Sequence, residues 1–216
     1  QQNTACSGEN SAGQLEVAII GAGFAGMYML YCMRKLGLSA RIYEAGSGVG
    51  GTWYWNRYPG ARCDVESIQY SYQFSEELQQ EWEWTEKYSP QPDILRYANH
   101  VADRFDLRRD IQCNTRVMSA VFNEDSHRWD IQTETGDRIS AAFCVMATGC
   151  LSSSNTPAFK GIRDYKGNIY HTGKWPHDEV SFNDMTVGVI GTGSSAIQAI
   201  PVFASQADHL FVFQRT

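Results

Sequence analysis

The chain has 216 residues, of which 43% are hydrophobic and 19% are charged, and its formal net charge is −6. This composition predicts a globular protein with enough apolar residues for one large core or two smaller ones. The acidic balance and the lack of a run of Lys and Arg argue against a nucleic-acid-binding surface. No apolar stretch approaches the roughly 20 residues that span a bilayer, and residues 1–14 are polar, so we expect a cytoplasmic protein that does not bind membranes. The six cysteines include no CxxC pair, which predicts neither a metal site nor a disulfide framework.

A strand-turn-helix pattern follows the polar residues 1–14. The apolar run Val17–Ile20 precedes the sequence Gly21-Ala22-Gly23-Phe24-Ala25-Gly26, and a helical pattern then runs from about Phe24 to Leu36. A GxGxxG sequence in this context is a dinucleotide fingerprint. Its glycines make the tight turn, admit the pyrophosphate and pack the helix against the strand. The phosphates would bind the unpaired N–H groups at the helix N-terminus.

The middle of the chain begins with a long irregular segment. Residues 46–67 are rich in Gly, Trp, Tyr and Arg and show little periodicity. Because long loops in compact domains are functional or disordered, and aromatic residues argue against disorder, we expect a functional loop. Residues 75–109 then show helical patterns, at 76–84 and 92–107.

Three strand-like segments come next. Residues 116–122, 127–133 and 139–146 alternate with short polar turns, which predicts an antiparallel meander that returns to the first sheet. The last of them ends in Ala147-Thr148-Gly149, where small residues let the backbone come close to a bound ligand.

A second fingerprint lies near the end of the chain. Residues 151–182 form a connector without regular pattern, and Val187–Ile190 then precedes Gly191-Thr192-Gly193-Ser194-Ser195-Ala196. Ala196 takes the place of the third glycine, which the fingerprint allows. A strand-like run at 209–213 follows, and two strands are too few for a complete doubly wound sheet. We therefore expect the rest of this domain on polypeptide beyond Thr216.

The residues after each fingerprint differ. Glu44 follows the strand at 40–43 and would accept hydrogen bonds from ribose hydroxyls, whereas Arg215 follows the strand at 209–213 and would pair with a 2′-phosphate. The first site therefore favours FAD and the second favours NADP(H). The alternative is that Glu44 and Arg215 are solvated strand ends.

These patterns predict an α/β fold with two Rossmann-like dinucleotide-binding domains. The second domain is truncated, and the first contains the small antiparallel meander. We expect a lead-in at residues 1–14, an FAD-binding domain at 15–150 that includes the helical segment 75–109, a linker at 151–182, and the start of an NADP-binding domain at 183–216.

The order of these motifs resembles that of the class B flavoprotein monooxygenases. The first fingerprint is followed by Gly50-Gly51-Thr52-Trp53-Tyr54-Trp55-Asn56-Arg57-Tyr58-Pro59-Gly60-Ala61-Arg62-Cys63-Asp64, then by Ala147-Thr148-Gly149 and the second fingerprint. Within that class, residues 165–176 resemble the FxGxxxHxxxW signature of type I Baeyer–Villiger monooxygenases, which is followed by Pro or Asp. Tyr165 stands where the family usually has Phe, which keeps the aromatic bulk and adds a hydroxyl.

This resemblance implies that an FAD- and NADPH-dependent enzyme inserts one oxygen atom of O2 next to a ketone carbonyl. The product is an ester, or a lactone where the ketone is cyclic, and the reaction proceeds through a flavin peroxide. We expect a cyclic ketone as substrate. In the family an aspartate, here Asp64, supports an active-site arginine that belongs to sequence beyond Thr216. The rest of the polypeptide is therefore an expected partner of this piece.

The resemblance also assigns site residues. The candidates for FAD binding are Gly21, Gly23, Phe24, Ala25, Gly26, Glu44, Gly51, Thr52, Trp53, Tyr54, Trp55, Arg62, Cys63, Asp64, Tyr70, Val117, Ala147, Thr148 and Gly149. The candidates for NADP binding are Gly191, Thr192, Gly193, Ser194, Ser195, Gln198, Arg215 and Thr216. The candidates for a hinge between the nucleotide domains are Tyr165, Gly167, His171, Trp175 and Pro176. A hinge suits a nicotinamide that must first deliver hydride and then move.

Two alternatives remain open from the sequence. Flavin-containing monooxygenases that oxygenate nitrogen or sulfur share both fingerprints, but their signature ends in Tyr or Phe where this chain has Trp175. A nucleotide-binding fragment without turnover is the second alternative, because the catalytic arginine and the rest of the second domain lie outside the chain.

Overall fold

A computed structural model describes residues 14–215, which pack as two compact units. The first unit contains residues 14–54 and 95–152, and the second contains residues 55–94 and 153–215. The sequence grouped residues 55–94 with the first fingerprint, whereas in the structure they pack in the same unit as the second one. The second unit is therefore built from two segments that are separated in the sequence by residues 95–152 of the first unit. The lead-in predicted at residues 1–14 lies, except for Gln14, outside the described residues.

A six-stranded mixed sheet forms the first unit, in the order β3-β2-β1-β6-β5-β4. Strands β1, β2, β3 and β6 pair in parallel, and β6, β5 and β4 pair antiparallel, as the predicted meander requires. The strands are β1 (Gln14–Ile20), β2 (Ala40–Tyr43), β3 (Ile111–Gln112), β4 (Val117–Asn123), β5 (Arg128–Thr133) and β6 (Arg138–Met146). Strand β3 has two residues, too few to show an alternating pattern, and the sequence did not predict it.

Strand β1 is covered on both of its faces. Val17 and Ile19 pack with Met27 and Leu30 of helix α1 (Phe24–Lys35) in one apolar cluster. Ala18, on the opposite face, lies in a second cluster with Ile131 and other residues of the meander. Such two-sided burial explains why the strand reads as a continuous apolar run. Helix α1 ends at Lys35, one residue before the predicted Leu36, and Gly37 follows with φ +74°, a conformation that glycine adopts easily.

Three further α-helices lie between β2 and β3, α2 (Thr52–Trp55), α3 (Glu76–Glu81) and α4 (Gln91–Arg104), and a short 3-10 helix, Arg108–Asp110, follows α4. The Ser75 hydroxyl caps α3 by accepting a hydrogen bond of 3.2 Å from Leu78 N. Helix α3 ends three residues before the predicted Trp84, and α2 forms inside the predicted loop. Within residues 14–215, no helix is both long and apolar enough to cross a membrane.

The second unit contains a parallel strand-helix-strand motif, as predicted. Strands β7 (Thr186–Ile190) and β8 (His209–Phe213) pair in parallel, and α5 (Ser194–Ala204) connects them. Trp175, Phe182 and Phe203 form the core of this unit, with the rings of Trp175 and Phe203 stacked at 5.8 Å. The connector from 151 to 182 is irregular apart from two short 3-10 helices, Ile162–Asp164 and Thr172–Lys174.

Candidate functional site

The two fingerprint turns have the same backbone conformation. Gly21 and Gly191, the first glycines, have φ +105° and φ +104°. Gly23 has φ −77° and ψ −174°, and Gly193 has φ −75° and ψ −178°. Positive φ values are strained for residues with a side chain, so each turn needs its first glycine. Equal dihedral angles indicate that the two sequences form the same kind of ligand cradle.

Hydrogen bonds fix both turns in the same way. Gly21 N donates to Tyr43 O of β2, and Gly191 N donates to Phe213 O of β8, both at 2.9 Å. Neither α1 nor α5 has a side-chain cap at its N-terminus or an acidic residue in its first turn. The first N–H groups of each helix therefore have no carboxylate from their own cap or first turn beside them, which is the arrangement that binds phosphate.

The first turn is closed tightly by neighbouring backbone. A Cβ atom on Gly26 would overlap Gly21 O, and one on Gly21 would lie 2.5 Å from Ala147 O. A Cβ atom on Gly51 would lie 2.7 Å from Gly23 Cα, so the two glycine-rich segments are in direct contact. The structure thus brings Gly51 and Ala147, from distant parts of the sequence, to the fingerprint turn. These residues fit a pyrophosphate held close to bare backbone.

Glu44 lies beside this turn, and its side chain is 4% exposed. Its Oε2 accepts a hydrogen bond of 2.6 Å from Ala22 N, and its Oε1 accepts one of 2.7 Å from Gly46 N. A carboxylate has about four acceptor positions, so two remain for ribose hydroxyls. The structure excludes a freely solvated strand end for Glu44, and the ribose contact stays a prediction.

The corresponding position after β8 carries no acid. Gln214 follows Phe213 as Glu44 follows Tyr43, and the exposed Arg215 comes next. An exposed guanidinium at this strand end has room to pair with a phosphate, and its contact with a 2′-phosphate stays a prediction. Thr216 lies outside the described residues.

Aromatic residues of the long loop are packed within the first unit. Trp53 and Tyr54 are 8% and 7% exposed, and Tyr54 Oη accepts a hydrogen bond of 3.1 Å from Ser47 N. Thr52 is half-buried, and Trp55, the first residue of the second unit, is 37% exposed. Their predicted contact with a flavin ring stays a prediction.

Of the remaining FAD candidates, some lie in the first unit and others in the second. Val117 is half-buried at the start of β4, whereas Thr148 and Gly149 follow β6 and are exposed, with Gly149 at φ +73°. In the second unit, Arg62 forms an exposed ion pair with Glu86 and Tyr70 is half-buried. Burial raises the pKa of the Cys63 thiol, which favours a packing role.

His171, in the predicted hinge signature, is fixed by two hydrogen bonds. Its Nδ1 accepts one of 3.1 Å from Gly173 N, and its Nε2 donates one of 3.2 Å to Asn155 O. Trp175 is buried, Pro176 is half-buried, and the Tyr165 ring, 61% exposed, lies against Gly167. These contacts favour a structural role for His171 over acid–base catalysis.

Gln198 has partners that the sequence did not indicate. Its side chain binds Tyr58, Arg62 and Asp64, three residues of the loop predicted to contact the flavin. The hydrogen bonds of its side chain are to protein groups, and its contact with NADP stays a prediction. The two segments lie more than 130 residues apart in the sequence, and no local pattern marks the pairing.

Comparisons with known proteins agree with the motif order. The family described as "Flavin-binding monooxygenase-like" matches residues 14–216. The chain is 47% identical over 202 residues to an acetone monooxygenase (methyl acetate-forming) of Gordonia sp. (strain TY-5), covering 94% of the chain and 38% of that protein. It is 46% identical over 209 residues to the phenazine N-monooxygenase PhzNO1 of Lysobacter antibioticus, covering 96% and 38%. It is 45% identical over 202 residues to a cyclohexanone 1,2-monooxygenase of Acinetobacter sp, covering 93% and 37%.

A solved structure shows the same fold. An oxidized steroid monooxygenase bound to NADP is 60% identical and superimposes with a TM-score of 0.90, covering 94% of this chain and 39% of that one. The chain therefore spans less than two-fifths of the length of these relatives.

Proposed function

Because the chain belongs to the flavin-binding monooxygenase-like family, we propose that it is the N-terminal, nucleotide-binding part of a Baeyer–Villiger monooxygenase. The whole enzyme would convert a ketone, O2, NADPH and a proton into an ester or lactone, NADP+ and water. One oxygen atom enters the bond between the carbonyl carbon and its neighbour, and the other leaves as water. Relatives named for acetone and cyclohexanone support ketones as the substrate class.

The observation that carries this proposal is the pair of matched fingerprint turns. Their backbones agree within a few degrees, yet the strand after the first turn is followed by Glu44, and the strand after the second by Gln214 and Arg215. A carboxylate accepts from ribose hydroxyls and repels a 2′-phosphate, whereas a guanidinium attracts one. We infer that the first unit holds FAD and the second holds NADPH.

Within the first unit, the chain would hold and orient FAD. The N–H groups that begin α1 bind its pyrophosphate, Glu44 accepts from its ribose, and the buried Trp53 helps to exclude water. Held there, FAD would supply the acceptor for the hydride of NADPH and the centre that activates O2. The fit is supported by the bare glycine backbone and by the acceptor positions left on Glu44.

Within the second unit, the N–H groups of Gly193, Ser194 and Ser195 would bind the NADPH pyrophosphate, and Arg215 would bind its 2′-phosphate. Asp64 would support the catalytic arginine on the remaining polypeptide. A carboxylate can orient a guanidinium bidentately, which keeps positive charge where the carbonyl oxygen becomes negative.

The experiment uses the full-length protein. Purified enzyme is given NADPH, ¹⁸O₂ and cyclohexanone, and open-chain ketones are tested in parallel. We expect lactone carrying one ¹⁸O atom, close to one product per NADPH oxidised, and a preference for the cyclic ketone. If NADPH is oxidised and no ketone of the panel gives ester or lactone, the proposal is wrong.

N-oxygenation is a second candidate, because the identity to the phenazine N-monooxygenase (46%) lies between those to the acetone (47%) and cyclohexanone (45%) monooxygenases. The same assay with phenazine distinguishes the two activities. An N-oxide without any lactone would assign the enzyme to the second class, whereas Trp175 in the signature favours the first. FAD retention without NADPH oxidation would instead favour a nucleotide-binding protein without turnover.

A further inference from the structure

Gln198 connects the helix of the second fingerprint to the loop that carries Asp64. Its Oε1 accepts hydrogen bonds from Tyr58 Oη at 2.8 Å and from Arg62 N at 3.3 Å. Its Nε2 donates to Arg62 O at 3.1 Å and to Asp64 Oδ1 at 2.9 Å. A side-chain amide has two acceptor and two donor positions, and the loop fills all four.

The backbones of the two segments are in contact at the same place. Gly60 has φ +83°, and a Cβ atom there would overlap Gln198 O and lie 3.2 Å from Val202 Cγ2. The loop therefore lies directly on α5, and any side chain at position 60 would separate them. This close approach lets the short amide of Gln198 reach backbone atoms of Arg62.

Asp64 depends on this contact for its orientation. Its side chain is exposed, and within residues 14–215 its carboxylate accepts one hydrogen bond, the one from Gln198 Nε2. Hydrogen bonds with a charged partner are shorter and stronger than neutral ones. An exposed aspartate without this donor would rotate freely about its side-chain bonds.

We propose that Gln198 is a positioning residue that fixes Asp64 from the NADP-binding helix. The inference rests on the proposed function, in which Asp64 supports the catalytic arginine. Gln198 lies about one turn beyond the helix N-terminus at which the NADP phosphates would bind, so dinucleotide binding and the orientation of Asp64 are mechanically linked. In this role Gln198 affects the oxygenation step through Asp64, by the hydrogen bond from its Nε2.

Two readings of Gln198 give opposite kinetics. A residue that only binds NADP raises the KM for NADPH when it is removed and leaves product formation per NADPH unchanged. Removal of a positioning residue reduces turnover. It leaves the KM for NADPH within about twofold of the wild-type value, because the helix N–H groups that bind the phosphates remain. In Gln198→Met, which keeps the length and removes the hydrogen bonds, we expect ester or lactone formation to fall about tenfold, the loss typical of one hydrogen bond to a charged group. NADPH would still be oxidised, with hydrogen peroxide released in place of product.

Three further variants complete the kinetic test. Gln206→Met changes an exposed glutamine just after the same helix and should behave like the wild type. Gln198→Glu keeps the acceptor for Tyr58 but places a second carboxylate beside Asp64. A protonated glutamic acid at position 198 can donate a hydrogen bond to Asp64, as the amide does in the wild type. The loss of ester or lactone formation in Gln198→Glu should therefore become smaller as the pH falls. Combined with Asp64→Asn, Gln198→Met should cause little additional loss, as expected for two residues that act together.

Hydrogen exchange gives a readout that is independent of turnover. In the wild type, NADP+ should slow exchange of the amides at 56–64, Arg62 N included, and in Gln198→Met this protection should disappear while exchange in α1 is unchanged. A raised KM for NADPH with full coupling in Gln198→Met, or unaltered exchange at 56–64, overturns the inference. Failure of the proposed function looks different: the wild type itself makes no ester or lactone, while the exchange experiment still reports the link.

Discussion

Glu44 Oε2 accepts a 2.6 Å hydrogen bond from Ala22 N, so the acid at the end of β2 fixes the glycine turn at the end of β1. Both oxygens of this buried carboxylate bind backbone N–H groups, the second from Gly46. The residue assigned to ribose binding therefore also shapes the phosphate-binding turn. Changes at Glu44 should affect stability and cofactor binding together.

In Glu44→Gln, one of the two backbone N–H groups faces an amide NH2, which cannot accept a hydrogen bond, and the other keeps only a neutral amide oxygen as acceptor. We expect a loss of about 1.5–3 kcal/mol in the free energy of unfolding, the range for hydrogen bonds to charged groups. Urea unfolding and the fraction of FAD retained after gel filtration measure the two effects. Glu16→Gln is the matched control, since Glu16 also accepts from a backbone N–H, of Ser39, but is exposed. Equal losses in both variants would contradict the role of Glu44.

Gly26→Ala tests the tight packing of the first turn. The new Cβ atom would overlap Gly21 O and lie 3.5 Å from the Ala147 side chain. Overpacking of this kind costs about 1–3 kcal/mol, and we expect loss of FAD as the turn opens. The reverse change at the matched position of the second turn, Ala196→Gly, should cost at most about 1 kcal/mol of helix propensity. Thermal unfolding with FAD content measured by absorbance would show this contrast, and a stable, flavin-loaded Gly26→Ala protein would refute it.

Two residues of the signature, Trp175 and Tyr165, should differ in how much they contribute to the stability of the second unit. Trp175 is 8% exposed and stacks on Phe203, so Trp175→Ala should cost about 3–5 kcal/mol, as for other buried large residues. Tyr165 is 61% exposed, and Tyr165→Phe, which installs the usual family residue, should change stability by less than about 0.5 kcal/mol. Denaturant midpoints of the two variants would test the pair. A strong effect of Tyr165→Phe would show that its hydroxyl matters.

Arg215 should decide between NADPH and NADH. Removing a guanidinium that pairs with the 2′-phosphate in Arg215→Ala should raise the KM for NADPH by about 10-fold or more and leave the KM for NADH unchanged. The exposed Arg163 of the connector provides the control Arg163→Ala, which should alter neither constant. Steady-state oxidation of the two nucleotides measures this preference. A parallel rise in both KM values would assign Arg215 a role unrelated to the phosphate.

Cysteine reactivity should follow burial. Cys63 is 5% exposed, and burial raises the pKa of its thiol, so little thiolate exists at neutral pH. Cys150, after β6, is exposed. Iodoacetamide at pH 7 should therefore modify Cys150 well before Cys63, with the order read from peptide masses over time. Modification of Cys63 should begin only with unfolding, and early labelling of Cys63 in the folded protein would contradict its buried position.

Some elements could be predicted because their causes are local. The glycine turns were predicted correctly, since a positive φ at Gly21 or Gly191 demands glycine whatever surrounds it. The meander was predicted from alternating residues and polar turns, with ends that moved by one residue at most. Strand β3 was missed because two residues are too few to show an alternating pattern. Helix α3 ends three residues before the predicted Trp84, because helix propensity alone does not determine where tertiary packing ends a helix.

The sequence by itself determined that this chain folds around two dinucleotide fingerprints, because the turn, the strand before it and the helix after it are specified by adjacent residues. Only the tertiary structure decided that residues 55–94 pack with the second unit and that Gln198 holds Asp64. Gln198 and Asp64 lie 134 residues apart in the sequence. These contacts arise from shape and hydrogen-bond complementarity between folded surfaces, which no local pattern records.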